Sequence, residues 1–176
     1  MLPTGFKDLR VPRFYINGSV VTEVKQESYL GYTVSSDCCD DEAMMKELRG
    51  LYARGNMLIR NFRHCSTEVK VKLFTAYCNS FYCCSLWNAL KTASFKRLIV
   101  GHNRVFRSLL NVRRPYSASH LFVIHGVPNM LVLRRKLVFS LYNRVLSCHN
   151  ALVLNLVSSL YFNNSSLYKY WTSVLF

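Results

Sequence analysis

The 176-residue chain, with 51% hydrophobic and 14% aromatic content, is long enough for one ordinary core, or for a small sheet element leaning on a helical body, so disorder is not the default reading. Its net charge of +14, from 23 Lys and Arg against 9 Asp and Glu, points to a polyanionic partner, nucleic acid first. All nine acids fall in residues 1–68; residues 69–176 hold no carboxylate side chain and can support neither two-metal phosphoryl transfer nor paired-carboxylate catalysis.

In chain order, Val11 to Ile16 and Ser19 to Val24 read as strands joined by Asn17-Gly18, the strongest short hairpin signal. A third strand is expected over Ser28 to Val34, where the internal Gly31 suggests a bulge or the close approach of another backbone. From Asp40 the apolar period changes to 3.6, with Met44, Leu48, Leu51, Leu58 and Phe62 on one side of a helix. Asp40, Asp41 and Glu42 at its start suit the positive end of the helix dipole.

Ser66 caps a second helix whose expected face is Val69, Leu73, Tyr77, Phe81 and Cys84, with Trp87 near its end. Ser94 caps a third, to about Asn111. A short helix over Ser117 to His125 closes at Gly126 and Pro128, and Asn129 caps a longer one to about Cys148. Segments at Ala151–Tyr161 and Ser165–Leu175 follow. The expected fold class is mainly α with a small N-terminal antiparallel β element.

The charged fraction of 18% is low against the usual quarter or so, and suggests apolar surface covered by another domain of a longer parent. Seven cysteines, in two adjacent pairs and three singles without a CxxC, read as reduced thiols of an intracellular protein, nuclear or cytoplasmic. His64 and Cys65 do not supply a four-ligand cage, so neither metal nor cofactor is expected. The Met1-Leu2-Pro3-Thr4-Gly5 start lacks the apolar region of a signal peptide, and the charge-free stretches 73–90 and 145–168 are broken by polar residues, which reads as no membrane segment.

The run Tyr29-Leu30-Gly31-Tyr32-Thr33-Val34-Ser35-Ser36-Asp37, a helix, then Arg63-His64-Cys65-Ser66-Thr67-Glu68-Val69-Lys70, Tyr77, Leu86-Trp87 and His102-Asn103-Arg104-Val105-Phe106-Arg107 carry a family likeness. In order and spacing they resemble the segment after the palm motifs of non-LTR (LINE-type) retrotransposon reverse transcriptases, over about Phe14 to Arg144. The resemblance implies that residues 1–37 correspond to the palm end, with Tyr29 and Gly31 near the primer grip. It makes 38–114 a thumb-like helical bundle and 115–176 a helical extension. It implies a template–primer duplex, RNA or DNA, held by backbone contacts, and fingers and palm in the parent enzyme.

The aromatic-x-Asp-Asp motif of the family's palm does not occur here, and Asp40-Asp41 follows two cysteines and opens a helix, so no catalytic residue is assigned. Some of Arg54, Arg60, Arg63, Lys70 and Lys72 would meet phosphates, or these residues form an ordinary solvated face. Lys96, Asn103 and Arg107 share one face of the third helix and Arg97 and Arg104 an adjoining one, joined in sequence by Lys91 and His102, with no acid nearby. Core packing is expected of Tyr77, Phe81 and Trp87; base stacking is kept for Tyr29 and Tyr32. Arg113-Arg114 and Arg134-Arg135-Lys136 are further backbone contacts or a nuclear signal. The competing expectation is a non-enzymatic helical interaction bundle that binds no nucleic acid.

Overall fold

A computed structural model describes residues 13–112 and 116–176. Within them, two short hairpins precede eight helices. The chain is mainly α with a small N-terminal antiparallel β element. Val11 and Pro12, at the start of the first expected strand, lie outside the described residues, as does the Arg113-Arg114 pair.

Strands β1 (Tyr15–Ile16) and β2 (Ser19–Val20) pair antiparallel across Asn17 and Gly18, whose φ of 50° and 78° give the double left-handed turn that suits hairpin twist. The expected third strand is instead a second hairpin, β3 (Gln26–Tyr29) and β4 (Tyr32–Ser35). Leu30 and Gly31 adopt φ of 49° and 79°, reverse the chain, and set Tyr29 opposite Tyr32. Gly31 is therefore a turn glycine and not a bulge; a Cβ there would meet only Tyr82, at an ordinary 3.8 Å.

The second hairpin is fastened to the helices by polar bonds. Tyr82 Oη donates to the Leu30 carbonyl at 2.6 Å, Lys46 Nζ to the Gly31 carbonyl at 2.9 Å, and the Tyr32 hydroxyl to Asp40. Burial and the Asp40 carboxylate push the Tyr32 pKa upward. Asp40 also accepts from the Ala89 N–H at 2.8 Å, so this acid joins hairpin, helix and loop.

Helix α1 (Asp41–Asn61) buries Met44, Leu48, Leu51 and Leu58, as its period predicts. Helix α2 (Thr67–Cys78) is capped by Ser66, which accepts from the Val69 N–H at 3.5 Å. Its buried face is Phe74 and Cys78, whereas Val69 and Tyr77 are exposed, which corrects both the expected face and the expected burial of Tyr77. The physical reason is drift: steps of four overshoot a turn of about 3.6 residues, so a strict 69-73-77 series walks off the core. The helix also stops at Cys78, and Phe81, Cys84 and Trp87 reach the core from a loop and a 3-10 turn.

Helix α3 (Thr92–Leu109) begins two residues before the expected Ser94 cap, with Lys91 at the cap position. Ser94 is buried inside the helix. Helices α4 (Ala118–Ile124) and α5 (Met130–Leu146) complete the main core; Asn129 caps α5 by accepting from the Val132 N–H at 3.0 Å. Phe74, Phe106 and Phe122 meet with ring centroids 4.6 Å apart for the Phe106 contacts. Each such side chain stabilises by about 1.5–3 kcal/mol.

Helices α6 (Ala151–Ser158), α7 (Leu160–Asn164) and α8 (Ser166–Leu175) form a second cluster on Val138, around Phe162, Tyr170 and Trp171. Trp171 Nε1 donates to the Ser85 carbonyl at 2.9 Å, and Arg134 lies between the Phe95 and Tyr170 rings, 4.5 and 4.9 Å from their centroids. The first cation of the Arg134-Arg135-Lys136 run thus ties α3, α5 and α8 together.

Candidate nucleic-acid interface

Helices α1 and α3 lie side by side and run parallel: Asp41 meets Lys91, Leu48 packs at Gly101, and Gly55 packs at Val105. Two glycines permit this approach. A Cβ on Gly101 would stand 2.5 Å from Leu48 Cδ1, and one on Gly55 would stand 2.4 Å from Val105 Cγ1. Larger residues would wedge the pair apart.

Close packing of two rods leaves a furrow along their outer side. Four adjoining hollows make it up, of 570, 510, 310 and 590 Å³ in order from the N-terminal ends, and neighbours share walls: Arg97, then Tyr52, then Ile59 and Ser108. Its α1 rim is Met45, Arg49, Tyr52, Asn56 and Arg60. Its α3 rim is Ala93, Arg97, Val100, Arg104 and Ser108, with the same helical spacing. From Met45 to Asn61 the helix advances about 24 Å at 1.5 Å per residue. That spans about seven phosphates at 3.4 Å along one strand.

The furrow is basic except at its start, where Asp41 and Glu42 sit. Asp41 forms an ion pair with Lys91 at 3.3 Å, which raises the Lys91 pKa, and Glu42 accepts from Gln26 at 2.6 Å. Among the described residues the other ion pair joins Arg54 to Glu47 at 3.9 Å. Arg60, Arg63, Lys70, Lys96, Arg97 and Arg104 line the rest, and Arg49 lines the first hollow beside Asp41 and Glu42, all without an ion-pair partner among the described residues.

The structure divides the sequence-predicted contacts. Arg60, Arg63 and Lys70 converge on the last hollow, Lys96 and Arg97 flank the middle, and Arg104 stands between them. Arg54 instead donates to the Ser80 carbonyl at 3.3 Å and lines none of the four hollows. Asn103 and Arg107 also lie off the furrow, and the Arg107 Nε is enclosed without a partner in the described structure. Tyr29 and Gly31 are on the exposed tip of the second hairpin, where Gly31 offers its carbonyl to Lys46.

His102 corrects the basic cluster read around it. It is fully buried, its ring stacks on Phe122 at 5.2 Å, and Nε2 lies 3.0 Å from Asn79 Oδ1. Burial pushes its pKa down to about 4, so it is a neutral core residue and no phosphate ligand. Sequence reasoning passes over Arg49, Tyr52 and Asn56, although the series 45-49-52-56-60, on the face beside the apolar one, marks them.

No family model, curated protein or solved structure matches the chain at a significant level. Among the described residues no helix is long and apolar enough to cross a membrane, and no group of His, Cys, Asp and Glu is arranged to hold a metal ion.

Proposed function

We propose that the chain binds nucleic acid by its phosphate backbone along the α1/α3 furrow, as the thumb-like, template–primer-binding part of a LINE-type reverse transcriptase. One observation carries the reading: both rims of a furrow long enough for several phosphates bear arginines, and its acids are confined to one end. Phosphate contacts position a strand without reading its sequence, which suits arginine and lysine rims with few base-reading side chains. On this reading the chain has no polymerase centre of its own, because Asp40 and Asp41 are spent on Tyr32, Ala89 and Lys91 and the rest of the furrow holds no carboxylate.

The test compares Arg97→Gln/Arg104→Gln with Arg107→Gln in duplex binding across a salt series. The furrow double variant is expected to weaken binding to unrelated sequences alike and to flatten the log–log salt slope by about 0.9 for each B-DNA phosphate left without its cation. Arg107→Gln is expected to leave the slope unchanged. A double variant with wild-type helicity, affinity and slope removes the furrow from consideration. The helical interaction bundle would then take its place, supported by exposed Val123 on α4, Leu152 on α6 and Tyr161 on α7.

A further inference from the structure

The furrow's cations change from spaced to convergent at its far end. Arg97 and Arg104 are seven residues apart, which separates them along α3 by about 10 Å, about three phosphates along one strand, and suits phosphodiesters met one at a time. In the last hollow, by contrast, Arg60, Arg63, His64 and Lys70 surround one space of 590 Å³. Arg60 comes from the final turn of α1, Arg63 and His64 from the bend after it, and Lys70 from the start of α2. The bend is held at both ends, by the Phe62 N–H on the Leu58 carbonyl at 3.0 Å and by the Ser66 cap.

No acidic side chain lines this hollow. A single phosphodiester, with one charge, does not need three permanent cations. A phosphomonoester carries a charge of about −1.5 to −2 and presents three acceptor oxygens, which matches two guanidinium forks and an ammonium. The space also exceeds what an isolated phosphate fills and falls in the range of about 300–1,000 Å³ typical of small-molecule sites. Ile59 and Leu109 provide apolar wall for a sugar or a base face.

We infer that this hollow receives the phosphorylated terminus of a nucleic-acid strand: the last nucleotide with its terminal phosphomonoester, while the rims carry the preceding backbone. This rests on the reading of the furrow as a nucleic-acid track and adds what stands at its end. The same chemistry is offered by a free nucleoside monophosphate, so the experiment must separate an end of a strand from a free nucleotide.

The full chain is titrated into oligonucleotides of one sequence bearing a 5′-phosphate, a 3′-phosphate or hydroxyls at both ends, with anisotropy read from an internal label. One phosphorylated form is expected to bind about tenfold tighter than the hydroxyl form, the size of a charge-assisted contact. Arg60→Gln/Arg63→Gln should erase that ratio, whereas Arg97→Gln/Arg104→Gln should weaken all three forms and preserve it. If Arg60→Gln/Arg63→Gln loses its helical signal, the wild-type ratio decides alone. Equal binding of the three strands overturns the inference and leaves the furrow reading standing; no binding of any strand removes the furrow reading as well. Saturable binding of free nucleoside monophosphate, abolished in Arg60→Gln/Arg63→Gln but without any advantage for a phosphorylated strand, assigns the hollow to free nucleotides and also overturns it.

Discussion

The N-terminal hairpins and the α1/α3 pair are both specified by short-range sequence signals, yet they spend them differently. In β1 to β3 every residue is exposed, including Tyr15, Ile16, Val20 and Tyr29, and order comes from left-handed turns and from polar bonds to the helices. In α1 and α3 order comes from burial: Met44, Leu51, Leu98 and Phe106 are inaccessible, and two glycines bring the backbones together. Turn chemistry is enough to shape a ribbon, but only the packed pair builds a rigid surface on which charges can be held at fixed spacing.

The largest expected contrast is in side-chain truncation. Phe106→Ala should cost about 3–5 kcal/mol in chemical denaturation, whereas Ile16→Ala should stay within about 0.5 kcal/mol. Comparable losses at the two sites would mean that the hairpins carry core energy and that the division is false.

A second contrast is pH dependence. The pKa of His102 falls from an ordinary value near 6.5 to about 4 on folding, so between these values the unfolded chain binds more protons. Stability from this group is complete above about pH 6.5 and is lost as pH falls through that window, by about 3 kcal/mol in all. His102→Phe should flatten the wild-type decline in melting temperature between pH 6.5 and 4; an unchanged slope would place the decline elsewhere.

The smallest effects come from the glycines, and they differ in cause. Gly55→Ala puts a methyl against Val105 and should cost about 1–3 kcal/mol by overpacking. Gly18 has open space around it but a φ of 78°, so Gly18→Ala is penalised only by the left-handed backbone, by about 1–2 kcal/mol. Val105→Ala should partly rescue Gly55→Ala and leave Gly18→Ala unaffected, and a double-mutant cycle measures both couplings.

These differences also explain what the sequence could reveal. Asn17-Gly18, the Ser66 and Asn129 caps and the α1 apolar stripe are local devices, and they stand where the residues predict. Leu30 carries no such signal, because a leucine at φ 49° is uncommon and its turn is held from outside by Tyr82 and Lys46. The charge asymmetry points to α3, but which of its cations share a surface depends on where α1 lies. Arg104 faces the furrow and Arg107 does not, a distinction fixed by Gly101 and Val105. Arg54 lies off the furrow because its acceptor is the carbonyl of Ser80, 26 residues away, which no helical spacing could indicate.

The parallel course of α1 and α3 gives the furrow a direction. Two antiparallel helices would cancel their dipoles, whereas here both positive ends lie at Asp41 and Thr92 and both negative ends lie at Asn61 and Leu109. The acids stand at the positive ends, and Arg60 and Arg107 stand in the last turns. The aligned carbonyl ends thereby ease the mutual repulsion of the cations gathered beyond them. On the nucleic-acid reading proposed above, a polymer that is itself directional would meet different chemistry at each end of such a furrow and would bind in one preferred orientation.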